Sequence, residues 1–537
     1  MPDLDGKALV DRYSALKSAR SNFDSVWQEI ADNLLGARDF LGNQTPGRKR
    51  HAIIYDTTGL LSAQMLSAAL HALLTNTASR WFGLRLRNTR MMEVPEIRNW
   101  LYEAEEEMIA AFDDPEANFS PAMHEGYLDL PTFGNMCIFI GDRPGGSVLF
   151  SARPLGEMVV AENVNGKIDT VYRGFDLTAH QVQQQLGEGA LAAADKDVKD
   201  NKGDTKHPFV HCVEPRQERS YGRLDASGMP WRSTYVNAKT SKIVNEGGYW
   251  EMPYPYARWS REAGQTYASF CPGWIALADQ KMLNEMSKTM LKGAQKAVDP
   301  ALLIPNDGVI FPLKTTPGAY TSYDANVFNE DPVRALPQGR LELGYKEIEQ
   351  RQAMVRKAFH EELLPLFQKP YMTATEVREL ANQAQRFLSP TLGRLQVELL
   401  QPMIERVFGI LMRAGRMPAI PPVLEGEEIQ IEYVSPVARA QKESEAQSIL
   451  DVFAVSAALL PIDPQVGDNL NADRSLREIA RLRGAPPIVL NDPREVVRIR
   501  EARAEQAEKQ AAMAEMQAMA QAAGAAAPAV QALQTVQ

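Results

Sequence analysis

Cysteine and histidine are scarce in this chain of 537 residues, which contains three cysteines and seven histidines. Cys137, Cys212 and Cys271 lie far apart, and the sequence has neither a Cys-x-x-Cys pair nor a Cys/His cluster. A zinc site needs several such ligands at close spacing, so we expect no metal site. The few, odd-numbered cysteines also favour assembly in a reducing, cytosolic environment.

Long apolar runs are absent as well. The first 22 residues are polar and charged and contain no apolar signal core. The longest apolar-rich window, residues 60–74, carries Gln64 and His71 and is too short to cross a bilayer. We therefore predict no transmembrane segment and no stable membrane insertion.

Catalytic signatures are missing. The chain has no GxxxxGK[ST] loop for ATP and no GxSxG elbow. Residues 187–192 loosely match a dinucleotide fingerprint but follow a predicted helix rather than a strand. A zinc HExxH motif beginning at His360 fails because position 364 is leucine, so His360 is interpreted as a helix-surface residue. We expect no catalytic residue and no cofactor, and the carboxylates of Glu103 and Glu105 to Glu107 are interpreted as a solvated helix face.

Basic charge is also in deficit. The chain has 58 Lys and Arg against 68 Asp and Glu, a formal net charge of -10. Tight phosphate binding needs clustered cations, so this balance disfavours a protein that holds nucleic acid firmly. An acidic protein can still let DNA slide past it. The 45% apolar and 23% charged fractions are those of a soluble, folded protein with a sizeable core.

Hydrophobic periodicity predicts an α+β region over the first 270 residues or so. Helical spacing is found at 9–35, 56–75, 95–112, 119–130 and 178–186. Thr57 or Thr58 is predicted to cap the second of these helices. Short apolar runs predict strands at 82–87, 136–141, 148–154, 158–163, 167–175, 209–215, 231–237 and 243–250. Asn165-Gly166 predicts a hairpin, and residues 195–207 are predicted to form a charged loop.

Two long helices follow, at 274–298 and 340–364, separated by fewer than forty Pro- and Gly-rich residues with short strands at 302–304, 309–313 and 320–323. So short an insertion requires the helices to run antiparallel. The second helix has a seam with steps of four and three, in which Gln352 fills one position. The seam residues are Leu341, Tyr345, Ile348, Val355, Phe359 and Leu363.

Further helices are predicted at 373–388, 389–413 (with Pro402 as a kink), 438–460, 474–483 and 492–523, with a strand at 429–433. Thr373 and Glu376 have the spacing of a capping box, which predicts the start of the first of these helices. The last helix is too polar to be buried alone, so we expect it to be exposed or packed in an oligomer.

A stripe of lysines follows one face of the first long helix: Lys281, Lys288, Lys292 and Lys296, at steps of seven, four and four. A soluble helix face is the simpler interpretation. The functional alternatives are a weakly basic ring facing DNA or an intersubunit contact, and Asp279 and Glu285 dilute the positive charge.

Three stretches, in this order, resemble the head-to-tail connecting (portal) proteins of podoviruses. The first is Tyr55-Asp56-Thr57-Thr58-Gly59 with its apolar helix, followed by Ser79-Arg80-Trp81-Phe82. The second is the helix, β insertion and helix over 274–364. The third is Met372-Thr373-Ala374-Thr375-Glu376-Val377 with the helices after it. Their order and spacing cover nearly the whole chain.

The resemblance implies a predominantly helical α+β portal fold. Its parts would be a wing (1–272), a first stem helix (273–299), a β-rich clip (300–338), a second stem helix (339–365), a tunnel loop (366–372), wing return helices and a strand (373–434), a helical crown (435–491), a C-terminal barrel helix (492–523) and a flexible tail (524–537). The tunnel loop adds Gln368, Lys369 and Tyr371 to the lysine stripe as candidates for the DNA channel.

The resemblance also implies a non-enzymatic ring, usually of about twelve subunits, at one capsid vertex, assembled in the host cytoplasm. Implied partners are the major capsid protein, the scaffolding protein, the terminase large subunit, the tail adaptor protein and the double-stranded DNA in the channel. The alternatives are an internal virion or ejection protein that forms a helical channel, and an enzyme with scattered acidic residues.

Overall fold

The computed structural model describes most of the chain. The described residues are 5–36, 40, 54–76, 80–88, 91, 94–305, 316–323, 334–335, 341–363, 386–424, 429–433, 436–461, 463–485 and 489–534. Contacts divide the chain into two compact units. The first comprises Met1–Gly83, Glu106–Met417 and Ile431–Val437, and the second comprises Leu84–Glu105, Pro418–Gln430 and Ala438–Gln537.

Helices and strands both contribute, as expected for a predominantly helical α+β chain. The α-helices named below are α1 (Gly6–Ala19), α2 (Ser21–Ile30), α3 (Thr58–Leu74), α4 (Pro95–Asp113), α5 (Phe119–Phe133), α6 (Ala179–Leu186), α7 (Ala192–Lys199), α8 (Pro272–Val298), α9 (Leu341–Ala358), α10 (Gln401–Arg413), α11 (Pro436–Leu459), α12 (Ala472–Leu482) and α13 (Pro493–Gln534). The strands are β1 (Phe82–Leu86), β2 (Asn135–Arg143), β3 (Ser147–Ala152), β4 (Met158–Glu162), β5 (Ile168–Thr178), β6 (Lys206–Pro215), β7 (Trp231–Asn237), β8 (Ile243–Tyr249), β9 (Tyr256–Arg258), β10 (Leu302–Pro305), β11 (Tyr320–Tyr323), β12 (Arg334–Ala335) and β13 (Ile429–Tyr433).

An antiparallel sheet in the order β4-β5-β6-β7-β8 forms the centre of the first unit. Successive side chains of a strand point to opposite faces, so the sheet carries two apolar clusters. One lies beneath α1 and consists of Leu9, Val159, Tyr172, Val210, Cys212 and Val236. The other includes residues of α6 and α7 and consists of Leu177, Ala179, Val182, Ala194 and Phe209.

A second antiparallel sheet, in the order β3-β2-β9, lies beside α5. Five aromatic rings pack together next to it, with neighbouring centroids 4.8 to 6.0 Å apart: Trp81, Phe82, Phe112, Phe119 and Phe150. The aromatic pair of the Ser79 to Phe82 motif is therefore part of the hydrophobic core. Large buried aromatic rings contribute strongly to stability, which explains why the motif needs these residue types.

Arg258, at the end of β9, connects the two sheets to the helical segment that ends in α10. Its side chain is 1% exposed and donates to Glu398 at 2.6 Å, to Glu162, and to the carbonyl oxygens of Thr266 (3.0 Å) and Gly166 (3.2 Å). A buried guanidinium is tolerated only when its donors are satisfied, and these four partners satisfy them.

In the second unit, α12 and α13 are joined by a bidentate ion pair. Both terminal nitrogens of Arg500 lie 2.7 Å from the Asp473 carboxylate. Arg477 also donates to the carbonyl of Asn491, at 3.0 Å. The α13 side chains that the structure describes, which lie between residues 494 and 517, are almost all exposed, as the polar composition of this helix predicts.

The structure corrects two local predictions in the first unit. Residues 195–207 are not one charged loop, because α7 covers Ala192–Lys199 and β6 begins at Lys206. The helix forms because Ala194 is fully buried in the cluster on the sheet. The helix α3 is not capped by Thr57 or Thr58: the N–H of Thr58 donates to Asp56 Oδ1 at 2.8 Å.

The helix predicted to start at 389 is also different. Residues 386–395 are already helical and continue through a π-helical turn, Gln396–Leu400, into α10. Pro402 lacks an N–H, and the hydrogen bonding shifts just before it so that the Gln401 N–H donates to the carbonyl of Gln396. The predicted kink therefore takes the form of a π-helical turn.

Other predictions have a different end or lie outside the described residues. The helix predicted to end near residue 523 continues to Gln534 as α13. The strand at 309–313, the tunnel loop at 366–372 and residues 373–385 are not among the described residues.

Candidate functional site: the long-helix pair

The helices α8 and α9 lie side by side and antiparallel. Near one end of the pair, Gly293 of α8 faces Leu341, and Gly344 of α9 faces Met290. Towards the other end, Arg351 Nη1 lies 2.7 Å from Asp279 Oδ1. Residue numbers thus rise along one helix as they fall along the other, and the antiparallel arrangement predicted from the short insertion is confirmed.

A small sheet in the order β11-β10-β12 lies between the two helices in the sequence. Strand β10 pairs parallel with β11, where Leu302 is opposite Tyr320, and antiparallel with β12, where Leu302 is opposite Ala335. The predicted strands at 302–304 and 320–323 are confirmed. The two-residue strand β12 was not predicted, because two residues are too few to show a period.

The predicted seam of α9 is buried only in its second half. Val355 and Phe359 are fully buried, whereas Tyr345 is 57% exposed. Exposed apolar residues continue across both helices: Ile275, Met282, Leu291, Leu343, Tyr345 and Met354. The long-helix pair therefore packs against the rest of the first unit at Val355 and Phe359 but leaves apolar side chains exposed along both helices.

The buried part of the pair is organised around the carboxylate and backbone of Asp56, just before α3. Asp56 Oδ2 accepts a hydrogen bond from the side-chain amide of Gln352 on α9, at 2.8 Å. Its carbonyl oxygen accepts from the side-chain amide of Gln280 on α8, at 3.1 Å. With the cap on Thr58, one residue therefore connects α3, α8 and α9.

Asn284 extends this group, which we name the Asp56 hub (Asp56, Gln280, Asn284 and Gln352). Its Oδ1 accepts from the backbone N–H groups of Tyr55 (3.2 Å) and Asp56 (3.3 Å). Its amide donates to the carbonyl of Asn33, at 3.2 Å. Gln280 and Asn284 are 0% and 2% exposed, so these polar side chains depend on their partners inside the protein.

The hub explains the Tyr55 to Gly59 motif. Gly59 lies against Gln280, and a Cβ on Gly59 would be 2.7 Å from Gln280 Oε1. A larger residue would have to displace the Gln280 side-chain amide, which donates to the Asp56 carbonyl, so this close approach favours glycine. One turn further along α3, Ser62 donates to Glu361 at 3.0 Å, just beyond the end of α9.

The lysine stripe on α8 carries less available charge than its spacing suggests. Lys281 forms an ion pair with Glu29 of α2. Lys288 lies 3.4 Å from Glu285 and 5.7 Å from the ring centroid of Tyr55. Lys292 is exposed, and Lys296 is half-buried. The structure places the four on one helix but pairs two of them with carboxylates, and their role towards DNA stays a prediction. Gln368, Lys369 and Tyr371 lie outside the described residues.

The acidic run of α4 is not simply a solvated face. Glu105 accepts from the backbone N–H of Leu84 at 2.6 Å, Glu106 pairs with Arg80, and Glu107 lies 3.7 Å from Arg416. These carboxylates are partners in structural contacts, which the sequence pattern alone did not reveal.

His360 is not a freely exposed helix residue either. It follows α9 in a left-handed conformation, with φ of 57°, and its ring lies 4.8 Å from that of Phe387. Burial lowers the pKa of His360 below its usual value, because the charged form loses water.

No metal-binding group of three or more His, Cys, Asp or Glu side chains occurs among the residues that the structure describes. Cys137 and Cys271 are buried and unpaired, and burial raises the pKa of each thiol to about 12. Thiols of such high pKa stay protonated and unreactive near neutral pH. Within the described ranges, no helix combines the length and the apolar character that crossing a membrane requires.

The residues missed by sequence reasoning are those of the Asp56 hub. A signal was present, because Gln352 occupies a seam position and Gln280 and Asn284 are one turn apart on α8. Polar residues on a buried face need partners, but the sequence does not say which ones.

The family model described as bacteriophage head to tail connecting protein matches residues 6–490. The portal protein of Salmonella phage epsilon15 is 28% identical over 517 residues, 94% of this chain and 92% of that protein. The probable portal protein of Bordetella phage BPP-1 is 28% identical over 511 residues, 93% of this chain and 91% of that protein. A chain in the neck of an empty gene transfer agent particle is 12% identical, with a TM-score of 0.32 over 78% of this chain and 94% of that one.

Proposed function

The chain belongs to the family of bacteriophage head-to-tail connecting proteins and functions as a portal protein, and we propose that it does so as one subunit of a closed ring at a single capsid vertex. The ring would conduct the genome during packaging and ejection. As in the rest of its family, its role would be structural rather than catalytic.

The long-helix pair carries this proposal. Large apolar side chains along both α8 and α9 stay exposed in a lone protomer. Apolar side chains left exposed in such number are typical of a protein interface. In a ring the neighbouring subunits would cover it, through a heterologous contact that closes after about twelve copies.

The parts of the ring follow from the order of the elements. We propose that residues 1–272 and 373–434 form the wing, that α8 and α9 are the stem, and that the sheet of β10 to β12 belongs to the clip at 300–338. The clip would dock the tail adaptor and the terminase. Residues 435–491 would form the crown and α13 the barrel, and the wing side would meet the capsid and scaffolding proteins.

The channel chemistry would be weakly attractive at most. Lys281 and Lys288 already have acidic partners, and the chain carries a net charge of -10. Each phosphate contact that releases counterions strengthens binding, so few free lysines mean little holding of DNA. Such a channel lets a polyanion slide, which both packaging and ejection require.

Electron microscopy with native mass measurement tests the ring. We expect rings of about twelve subunits with an open centre. Leu343→Asp with Tyr345→Asp should prevent their formation, because the aspartates would place charge in the contact between subunits. Gln350→Asp, an exposed polar position of the same helix, is the matched control and should form rings. A chain that stays monomeric or dimeric at high concentration would contradict the proposal.

The tunnel-loop assignment has its own test. Deleting residues 366–372 should leave rings intact and reduce the packaging or retention of DNA, because the loop would approach DNA in the channel. Loss of ring assembly after this deletion would show that the segment is structural instead. The alternative of an internal virion or ejection protein has no support from the two curated relatives, of which one is named a portal protein and the other a probable portal protein.

A further inference from the structure

The connection between β6 and β7, residues 216–230, projects two apolar side chains into solvent. Tyr221 is 83% exposed and Leu224 is 86% exposed. The turn between β4 and β5 presents Val164, which is fully exposed. Because β5 pairs with β6 antiparallel, with Val171 opposite Val213, the start of β5 and the end of β6 lie at the same end of the sheet. This end therefore carries three exposed apolar side chains.

The connection is ordered by its own hydrogen bonds. The Ser220 N–H donates to the carbonyl of Ser227 at 3.0 Å, and the Gly228 N–H donates to that of Asp225 at 3.0 Å. Arg219 Nε donates across the loop to the Gly228 carbonyl at 2.8 Å. A loop held in one conformation loses little entropy when it binds, so its exposed side chains are suited to an interface.

Arg219 adds specificity to this surface. Its guanidinium carbon lies 4.9 Å from the ring centroid of Tyr221 and 5.9 Å from that of Trp250. The described residues supply no hydrogen-bond partner for its two terminal nitrogens. Arginine, tyrosine and tryptophan are the residue types that dominate binding energy in protein interfaces. A guanidinium held beside aromatic rings, with free terminal N–H groups, can bind a carboxylate in a bidentate way.

The charges of the loop and of the whole chain indicate which binding partner supplies that carboxylate. Residues 216–230 contain three arginines and two acidic residues, and Arg216 and Arg223 already lie beside Glu246 and Asp225, so Arg219 is the arginine of this loop with no acidic partner among the described residues. The chain as a whole has a net charge of -10, so a second copy of it offers an excess of acidic groups to Arg219. In a closed ring, two different surfaces of the chain meet at each contact between neighbouring subunits. A projecting loop that enters a recess is a contact of this kind.

We propose that residues 216–230 form a docking loop that inserts Tyr221 and Leu224 into an apolar recess of the neighbouring subunit, while Arg219 binds a carboxylate at its edge. This inference rests on the proposed ring and names a contact that stabilises it.

Photo-crosslinking of the full-length protein tests the contact. A benzophenone amino acid replaces Tyr221, and the assembled protein is irradiated and separated under denaturing conditions. We expect covalent dimers of this chain, mapped to one site on the second copy. The same probe at Val423, an exposed residue of the second unit, is the control and should give no dimer of that kind.

Substitutions measure the contribution of the loop. Tyr221→Ala with Leu224→Ala should raise the protein concentration at which rings half-dissociate by about tenfold or more, as loss of interface hot spots does. Arg219→Gln should raise it less and should weaken the dependence of ring stability on salt. Because both apolar side chains are exposed in the protomer, circular dichroism should show an unchanged fold.

The outcomes separate the inference from the proposed function. If the unmodified protein forms no rings, the proposed function fails and this contact fails with it. If rings form but the probe at Tyr221 gives no dimer of this chain, or if the variant rings dissociate like the unmodified ones, the portal function stands and the docking loop is refuted.

Discussion

Removing the Asp56 side chain tests whether the hub fixes the long helices to α3. Asp56→Ala deletes the acceptor of the Thr58 N–H and the acceptor of the Gln352 amide, both at 2.8 Å. The bonds from Gln280 to the Asp56 carbonyl and from the Asp56 N–H to Asn284 use the backbone, so the alanine variant can keep them. The substitution thus isolates the carboxylate.

The expected loss follows from these two bonds. Replacing an N-cap acceptor by alanine costs about 1 kcal/mol. A hydrogen bond to a charged group contributes about 1.5 to 3 kcal/mol, and the half-exposed position of Asp56 favours the lower figure. The sum is about 2 to 4 kcal/mol of local stability, which corresponds to roughly 30- to 1000-fold faster opening.

Hydrogen exchange followed by mass spectrometry measures this opening in the first turn of α3 and around Gln352 of α9. Asp279→Ala is the control, because it removes an ion pair with Arg351 whose partners are about one-third exposed and which is worth about 1 kcal/mol or less. Asp56→Asn keeps an acceptor for Thr58 and should restore protection in α3 more than in α9. Equal exchange in the Asp56→Ala and Asp279→Ala variants would refute the role given to the hub.

Three further predictions concern other parts of the chain. Arg258→Ala should destabilise the first unit by about 3 kcal/mol. This is the low end for a broken buried ion pair, because both acidic partners keep a second arginine. Thermal unfolding should show a clear loss of stability relative to Arg261→Ala, and equal losses in the two variants would contradict this prediction. Truncation after Asn491 removes α13 and should leave rings detectable by native mass, since the stem and wing would hold the main contacts; monomers would show that α13 is needed for assembly. Burial lowers the pKa of His211 to about 3 from an ordinary 6.5, so the stabilising effect of the neutral ring is complete above pH 6.5 and is lost as the pH falls towards 3. Between pH 7 and 4.5 the free energy of unfolding should fall by about 2 to 3 kcal/mol. His211→Gln should flatten that part of the curve of stability against pH, and an unchanged curve would count against the prediction.

Elements with a clear period were predictable from the sequence. The first long helix was predicted at 274–298 and is found at Pro272–Val298, and the Asn165-Gly166 hairpin joins β4 to β5. In both cases the determining interactions are local, either an apolar face repeated along one helix or a turn that needs a positive φ. Local sequence therefore contained the information needed.

The helix α7 and the strand β9 were not predictable in this way. Residues 195–200 are mostly charged, and the helix is stabilised by packing Ala194 on a sheet whose strands are distant in sequence. The strand β9 has three residues and exists because β2 offers it partners at Cys137 and Met136. Tertiary contacts overrode weak local preference at both positions.

In the candidate site, too, some features follow from local sequence and others follow from tertiary contacts. The spacing of the four lysines placed them correctly on one face of α8, but nothing local showed that Glu29 of α2 would pair with Lys281. The Asp56 hub joins residues 224 to 296 positions apart in the sequence. Periodicity indicates which face of a helix is buried, whereas the partner of a buried polar group is a property of the assembled fold.

The hub and the apolar surface of the long-helix pair have different physical consequences for a ring subunit. Apolar contacts tolerate small shifts, because burial depends on area rather than direction. A slip of α9 by one residue would instead separate Gln352 from Asp56 and break the hydrogen bond between these two part-buried side chains, at a cost of about 1.5 kcal/mol. The hub therefore fixes the register of α9 relative to α3 and α8. A fixed register presents the exposed residues of α8 and α9 in the same positions on every copy, which a closed ring of identical contacts requires.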